Sequence, residues 1–518
     1  AAGSGAGDAG NAPAPAAVPA SPPYAALRRR AFSLGAANAF DYGMQFLLPM
    51  VLVRFMAPEA FGEYRLLWLA IMTVMVLVPL NMPHTLYYFL PRADRPARRL
   101  HVHMTLLYLV AAGVLGGLAV SPWNPLLPAS MRSLAEYGLL VPALVVLCAA
   151  TFLLDMLPTA EERVRWQVGV IATMSLLRTL TLGWAAWQIG EVRVLIWLLL
   201  GLTLFKLLLL LAYIARFHGL GGPWFEPRRF AEQFRHASPL GLSSALYGVR
   251  GQADQWVVAS LFPLANFAVF SVATVLGPMV NLFRQSINNV FLPSMSRLQS
   301  SGDLAGMVEL NNRANVMVAT LVYPLLAFAF VFAEEIVTLI YTECYAAAAP
   351  VMRVYIAGLL IFVVELSSIM LLMRQGAFAL RLNLAVLAAS VLLSWLGAQQ
   401  FGLAGAAAGS TLAMYADRYA TLYRIAATTG VPLRALQDWG ALARLLAIAV
   451  LAGAAAAAVV GHYLADAALP LRLLLGASVL YSLYGLLWAA LGRRRGPSSP
   501  ALPVAPVPPL VPPPPTQP

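Results

Sequence analysis

Charge is scarce in this chain and lysine nearly absent. Lys and Arg together number 34 and Asp and Glu 22 in 518 residues, and Lys206 is the lone lysine. Charged residues make up 11% of the sequence and hydrophobic residues 60%, with a mean hydropathy of +0.75. That balance excludes an ordinary water-soluble domain. The two cysteines, Cys148 and Cys344, are too few and too differently placed for a disulfide framework or a metal site. There is no HExxH, no Gly-rich phosphate loop with a lysine, no GxSxG and no clustering of the six histidines. Nothing argues for hydrolysis, nucleotide use or metal catalysis; no enzyme activity, metal or cofactor is expected.

What is abundant is the long apolar run. A crossing of the hydrocarbon core takes about 20 apolar residues, and about fourteen such runs fit between the charge clusters, an all-α polytopic membrane protein. They fall near 31–55, 64–82, 101–121, 137–157, 167–189, 194–215, 240–262, 266–286, 314–333, 350–372, 380–398, 402–423, 442–461 and 471–491. With the amino terminus cytoplasmic, one side collects Arg28 to Arg30, the arginines between Arg92 and Arg99, Arg163, Arg165, those of 216–235 and Arg493 to Arg495. The positive-inside rule then puts both termini in the cytoplasm. The formal +12 reflects this loop bias and an attraction to anionic headgroups, not nucleic acid. Residues 1–24, rich in Ala and Pro, and the Pro-rich 492–518 cannot bury enough surface to fold and are expected to be disordered. Arg28 to Arg30 lead into a full-length span, so the amino-terminal stretch is not expected to be a cleaved signal peptide.

The longest internal loop, 216–239, separates an N-lobe (25–215, six spans) from a C-lobe (240–425, six spans), with two more spans in 426–491. Arg54 to Tyr64, after the first span, and Leu261 to Phe270, after the seventh, share a proline, a small residue and aromatics, which suggests duplicated lobes. With Pro58 to Tyr64, Asn81 to Arg92, Asp254, and Phe401 to Thr411 in that order and spacing, the sequence resembles the polysaccharide transporter branch of the multidrug/oligosaccharidyl-lipid/polysaccharide (MOP) flippase superfamily. The likeness covers most of 28–425. It implies two six-helix lobes around a central cavity and export, by alternating access, of an undecaprenyl-pyrophosphate-linked repeat unit of O-antigen, capsule or exopolysaccharide across a bacterial inner membrane. It further implies H+ or Na+ coupling and work beside a glycan polymerase. A cation-coupled multidrug exporter is the alternative within the superfamily. A membrane glycan polymerase or ligase is the alternative outside it, although it would need a sizeable external loop.

Charged side chains inside apolar runs cost about 2.5–3.5 kcal/mol each at the bilayer centre, so each needs a partner, water or cargo. Asn38, Asp41 and Gln45 share one face of the first span, with Asp41 near mid-membrane, as a proton or Na+ site or as a buried structural carboxylate. On the seventh span Ser243, Tyr247, Arg250 and Asp254 form a polar stripe. Arg250 suits phosphate oxygens as a planar fork of donors, or else pairs with Asp254 along its own helix. Asn281, Arg284 and Asn288 share a face of the eighth span, and Arg284 either meets a headgroup or snorkels. Glu365, beside Ser368, is a second ion site or the partner of a cavity arginine. Arg178 and Lys206 make the N-lobe side of the cavity positive, unless acids such as Asp155 neutralise them. Gly402, Gly405 and Gly409 predict close helix approach, and 291–304 a short interfacial segment.

Overall fold

In the computed structural model, which describes residues 24–125 and 129–492, the chain is helical throughout, with no strand among the described residues. The first part holds α1 (Tyr24–Phe55), α2 (Pro58–Leu77), the single turn α3 (Leu86–Phe89), α4 (Arg95–Ala119), the short α5 (Arg132–Ala135), α6 (Leu140–Ala160), α7 (Val164–Gln188) and α8 (Val192–Phe217). Next come α9 (Pro227–Arg250), α10 (Ala253–Leu261), α11 (Leu264–Ala273), α12 (Leu276–Ser300) and α13 (Leu304–Val331). The remainder is α14 (Ala333–Tyr341), α15 (Ala348–Phe362), α16 (Ser367–Leu372), α17 (Gly376–Thr429), α18 (Trp439–Tyr463) and α19 (Leu469–Gly492). Among the described residues, 10 helical segments are long and apolar enough to cross a membrane. α1, diluted by Asn38, Asp41, Gln45 and Arg54, is not one of them. Both tails expected to be disordered, with Arg493 to Arg495, lie outside the described residues apart from their boundary positions Tyr24 and Gly492.

Helix starts follow the local sequence. Asp94, Asp303 and Asp438 each accept the backbone N–H three residues on, at 3.1, 2.7 and 2.9 Å, and so cap α4, α13 and α18. Pro58, with its fixed φ and no N–H to leave unsatisfied, opens α2. Where the structure departs from the expected spans, the reason is backbone breakage. The expected seventh span is cut at Gly251–Gln252 into α9 and α10, and its helix begins at Pro227, so the expected loop 216–239 is half helical. The expected tenth span is interrupted between Phe362 and Ser367. No separate interfacial segment forms at 291–304, because α12 runs through Pro293 to Ser300.

α17 spans 54 residues but is not one rod: Phe401 and Gly402 leave helical geometry, and Gly402 takes φ +63, which a residue without Cβ adopts freely. The chain folds back there. A Cβ on Gly405 would lie 1.9 Å from the Gly397 carbonyl oxygen, and one on Gly409 would lie 2.3 Å from the Leu393 backbone. The two arms therefore touch backbone to backbone, the small-residue packing that Gly405 and Gly409 predict.

The remaining 216–226 connection is strapped down. Glu161 accepts a hydrogen bond from Tyr213 and lies 3.1 Å from His218 Nε2, and Trp224 stacks on His103 with ring centroids 4.2 Å apart. Burial raises the Glu161 pKa, but the neighbouring His218 and Tyr213 side chains outweigh it, and the net shift is downward. A depressed carboxylate stabilises above its ordinary titration range and loses that contribution as pH falls through its folded pKa.

α1 packs on α7, α4 on α6 and α6 on α8; further along, α12 packs on α13, α15 on α17, and α13 and α19 on α18. The two groups meet along α2, which runs against α9 and α11. Glycine sets that distance. A Cβ on Gly62 would sit 2.0 Å from the Leu264 carbonyl oxygen, one on Gly241 2.2 Å from that of Leu80, and one on Gly248 2.5 Å from Val76. Since lipid is as apolar as leucine, such close backbone approach and its dispersion energy hold helices together where the hydrophobic effect does not. Gly62→Val and Gly241→Val are each expected to destabilise the protein by about 1–3 kcal/mol through overpacking. Thermal unfolding in detergent checks this, with Gly277→Ala, whose Cβ meets nothing within 4 Å, as the neutral control.

Candidate functional site

Between the two helix groups lies a cavity of about 900 Å³. The second half of α1, the first half of α2, the middle of α7, the α9–α10 junction, α11–α12, α15 and the α17 hairpin contribute to its wall. Three arginines reach it: Arg65 from α2, Arg178 from α7 and Arg250 from the last turn of α9. Tyr247, Asn281, Gln45 and Asp254 also line it, whereas Asn38, Asp41, Lys206, Arg284 and Glu365 do not.

The arginines differ in how they are neutralised. Arg250 lies 2.8 Å from Asp417 and 3.0 Å from the Asn383 Oδ1, so both arms of the α17 hairpin hold it. It also lies over the Tyr247 ring, 5.0 Å from the centroid. The intrahelical partner that spacing suggested, Asp254, is not used. The break at Gly251 takes Asp254 onto α10, where it is buried and accepts bonds from the Tyr355 hydroxyl and, at 2.8 Å, from the Gln255 N–H. The polar stripe expected along one continuous helix is therefore split.

Arg178 stands 3.7 Å from Asp41, a looser pair, and Asp41 additionally accepts from Gln45 at 2.7 Å and from Ser175. Arg65 forms no ion pair with any described residue. It is the surplus positive charge on the wall, since Arg178 and Arg250 each have a carboxylate. Neither Arg65 nor Asp417 is singled out by the sequence pattern. Arg65 reads as an interface anchor at the start of a span, and Asp417-Arg418 is a charged couple hidden in the apolar run after Gly409.

Lys206 is neutralised away from the cavity, 2.8 Å from Asp155. Arg284 pairs with Glu365, donates to Asn281 at 2.7 Å and lies over the Phe362 ring at 4.2 Å. Both members of that pair are buried, and Asn288 on the same face of α12 donates to Ser368 at 2.6 Å. Arg418 also lies over the Phe362 ring, 5.1 Å from its centroid. Among the described residues no group of three or more His, Cys, Asp or Glu side chains is arranged to hold a metal ion.

Solved structures of membrane transporters and of a lipid flippase share this helical fold. Lipid II flippase MurJ in an inward closed conformation matches with a TM-score of 0.64 at 14% identity over 89% of this chain and 99% of that one. An inward-facing MATE family multidrug resistance transporter of the MOP superfamily matches at 0.61, with 15% identity over 75% and 96%. The Vibrio cholerae MATE transporter VcmN, in an Asp-to-Asn variant, matches at 0.54, with 13% identity over 80% and 99%. At these identities the likeness is one of fold. A search of curated proteins finds no match. The family profile described as polysaccharide biosynthesis protein matches residues 51–350, and the chain belongs to that family.

Breaking one partner of a buried pair leaves an uncompensated charge and costs about 3–5 kcal/mol. Arg250→Ala and Asp417→Asn are each expected to lower the melting temperature in detergent, and the double variant to recover much of the loss. A double variant as unstable as the sum of the singles refutes the coupling.

Proposed function

We propose that the chain moves the anionic headgroup of a polyprenyl-pyrophosphate-linked oligosaccharide, a repeat unit of O-antigen, capsule or exopolysaccharide, across a bacterial inner membrane by alternating access. The observation that carries this reading is the convergence of Arg65, Arg178 and Arg250 on one chamber, with Arg65 lacking a carboxylate. Guanidinium forks bind phosphate oxygens bidentately, and a chamber inside the membrane spares a diphosphate and its glycan the passage through hydrocarbon. The polyprenyl chain remains in lipid.

On this reading about fourteen spans form an N-lobe (25–215), a C-lobe (240–425) and a final pair (426–491), with both termini cytoplasmic. Asp41 and Asp254 are the groups for H+ or Na+ coupling. Arg284, Lys206 and Glu365 keep a supporting role, because each already has a partner off the chamber wall. The buried Asp254, which has no cationic partner among the described residues, favours a second reading, a cation-coupled multidrug exporter.

Reconstitution in liposomes with a fluorescent polyprenyl-diphosphate saccharide separates the two. Wild type should flip the lipid, Arg65→Ala and Arg250→Ala should slow it by roughly tenfold or more, and Asp41→Asn should abolish the response to an imposed ion gradient. Equal flipping by all four proteins refutes the proposal. Drug efflux without movement of the lipid-linked sugar establishes the exporter.

A further inference from the structure

The sequence puts more polarity on α12 than its ion pair uses. Arg284 and Asn288 turn into the protein toward Glu365 and Ser368. A second row, Asn281, Gln285 and Asn289, recurs at four-residue steps, so its members stack on one face. Asn281 lines the chamber, and the row continues from it with Gln285 and Asn289, both exposed and without a side-chain hydrogen bond to any described residue. The segment carrying them, Leu264–Ser300, contains a stretch that is apolar and long enough to cross a membrane. An exposed amide without a protein partner is satisfied by water or by a polar cargo.

A matching row stands on α1. Gln45 lines the chamber, and Asn38, seven residues earlier and hence on the same face, is exposed and makes no side-chain hydrogen bond to any described residue. α1 packs on α7 and α12 on α13, while α1 and α12 do not pack closely on each other. Tyr42 and Tyr247, 45% and 43% exposed, line the chamber beside the two rows. The two rows and the chamber differ in chemistry: the chamber wall carries guanidinium, while the rows carry neutral amides. An amide both donates and accepts, which fits hydroxyl groups, and an aromatic face fits the C–H side of a sugar ring.

We propose that Asn38 and Gln45 on α1 and Gln285 and Asn289 on α12 form a groove that binds the neutral sugar portion of the cargo, continuous with the arginine chamber that takes its diphosphate. This rests on the function proposed above and adds the division of the headgroup between the two subsites. The groove carries no cation of its own, and the neighbouring Asp41 disfavours an acidic sugar.

The test is equilibrium binding to the full chain in nanodiscs of two probes, undecaprenyl diphosphate and undecaprenyl diphosphate bearing a neutral disaccharide. Wild type should bind the glycosylated probe more tightly. A Gln285→Ala/Asn289→Ala variant, and separately Asn38→Ala, should lose roughly five- to tenfold in affinity for it, the scale of one or two hydrogen bonds. Their affinity for the bare diphosphate should stay unchanged, which also reports that they fold. Arg65→Ala should weaken both probes alike. Equal binding of both probes by wild type, retention of the sugar-dependent gain in the amide variants, or equal loss of both probes there overturns the groove and leaves the diphosphate site standing. Failure of wild type to bind either probe overturns the proposed function itself.

Discussion

Arg250, 2.8 Å from Asp417, joins the end of α9 to the second arm of the α17 hairpin, and its contact with Asn383 adds the first arm. Much of the chamber depends on this junction. A guanidinium removed from water is tolerable only with a partner in good geometry, and here the partners come from a helix hairpin that reverses at Phe401–Gly402. Without the reversal Asn383 and Asp417, 34 positions apart on one rod by subtraction of their numbers, would not meet one side chain. Without the break at Gly251 the α9 backbone would continue straight past them. The ion pair, the hairpin and the broken helix are thus one arrangement. The Tyr355–Asp254 contact lies on its far side, where α10 packs on α17.

The second constraint is the glycine seam between α2 and α9–α11. Gly62 and Gly241 bring backbones into contact and Gly248 brings α9 against the Val76 side chain, while Thr73 accepts from Trp256 at 2.9 Å and also meets Gln252. Beyond the seam, Gln233 is fully buried and donates to Thr85 and Thr105, each at 2.9 Å, and lies 3.0 Å from His101. Such a seam fixes how close α2 lies to α9 and α11, whereas α1 and α12 do not pack closely on each other.

The apolar runs were legible because membrane crossing demands length and composition, and both are local. Gly405 and Gly409 were legible for the same reason: a glycine row in a long apolar helix has few uses besides close packing. Charge pairing was not. Spacing offered Asp254 as the partner of Arg250, because an i,i+4 pair is the one a sequence displays, whereas the real partner lies 167 residues on. Glu365 was read as a possible acid for a cavity arginine, and Asp155 as one for Arg178 or Lys206. Which base each acid meets follows from helix packing that no single helix encodes. Arg65 was invisible for a further reason. An arginine at the start of a span usually anchors at the interface, and only the approach of α2 to α11 through Gly62 turns it onto the chamber.

The arginines of the chamber and of its surroundings answer different physical demands. Arg284 is buried, and its charge is met by Glu365, so it holds α12 to the segment between α15 and α16. An anion would have to displace a buried carboxylate to reach it. Arg65 has no such competitor among the described residues, so an anion reaching it displaces no carboxylate there. Arg250 stands between them: an anion reaching it competes with Asp417, so the strength with which α9 is tied to α17 depends on what occupies the chamber. On the proposed function, Arg65 supplies affinity and Arg250 links occupancy to helix position. A ligand shifts a conformational equilibrium only through a contact that differs between the two states, and the Arg250–Asp417 contact, which joins α9 to α17, is one for which an anion in the chamber competes.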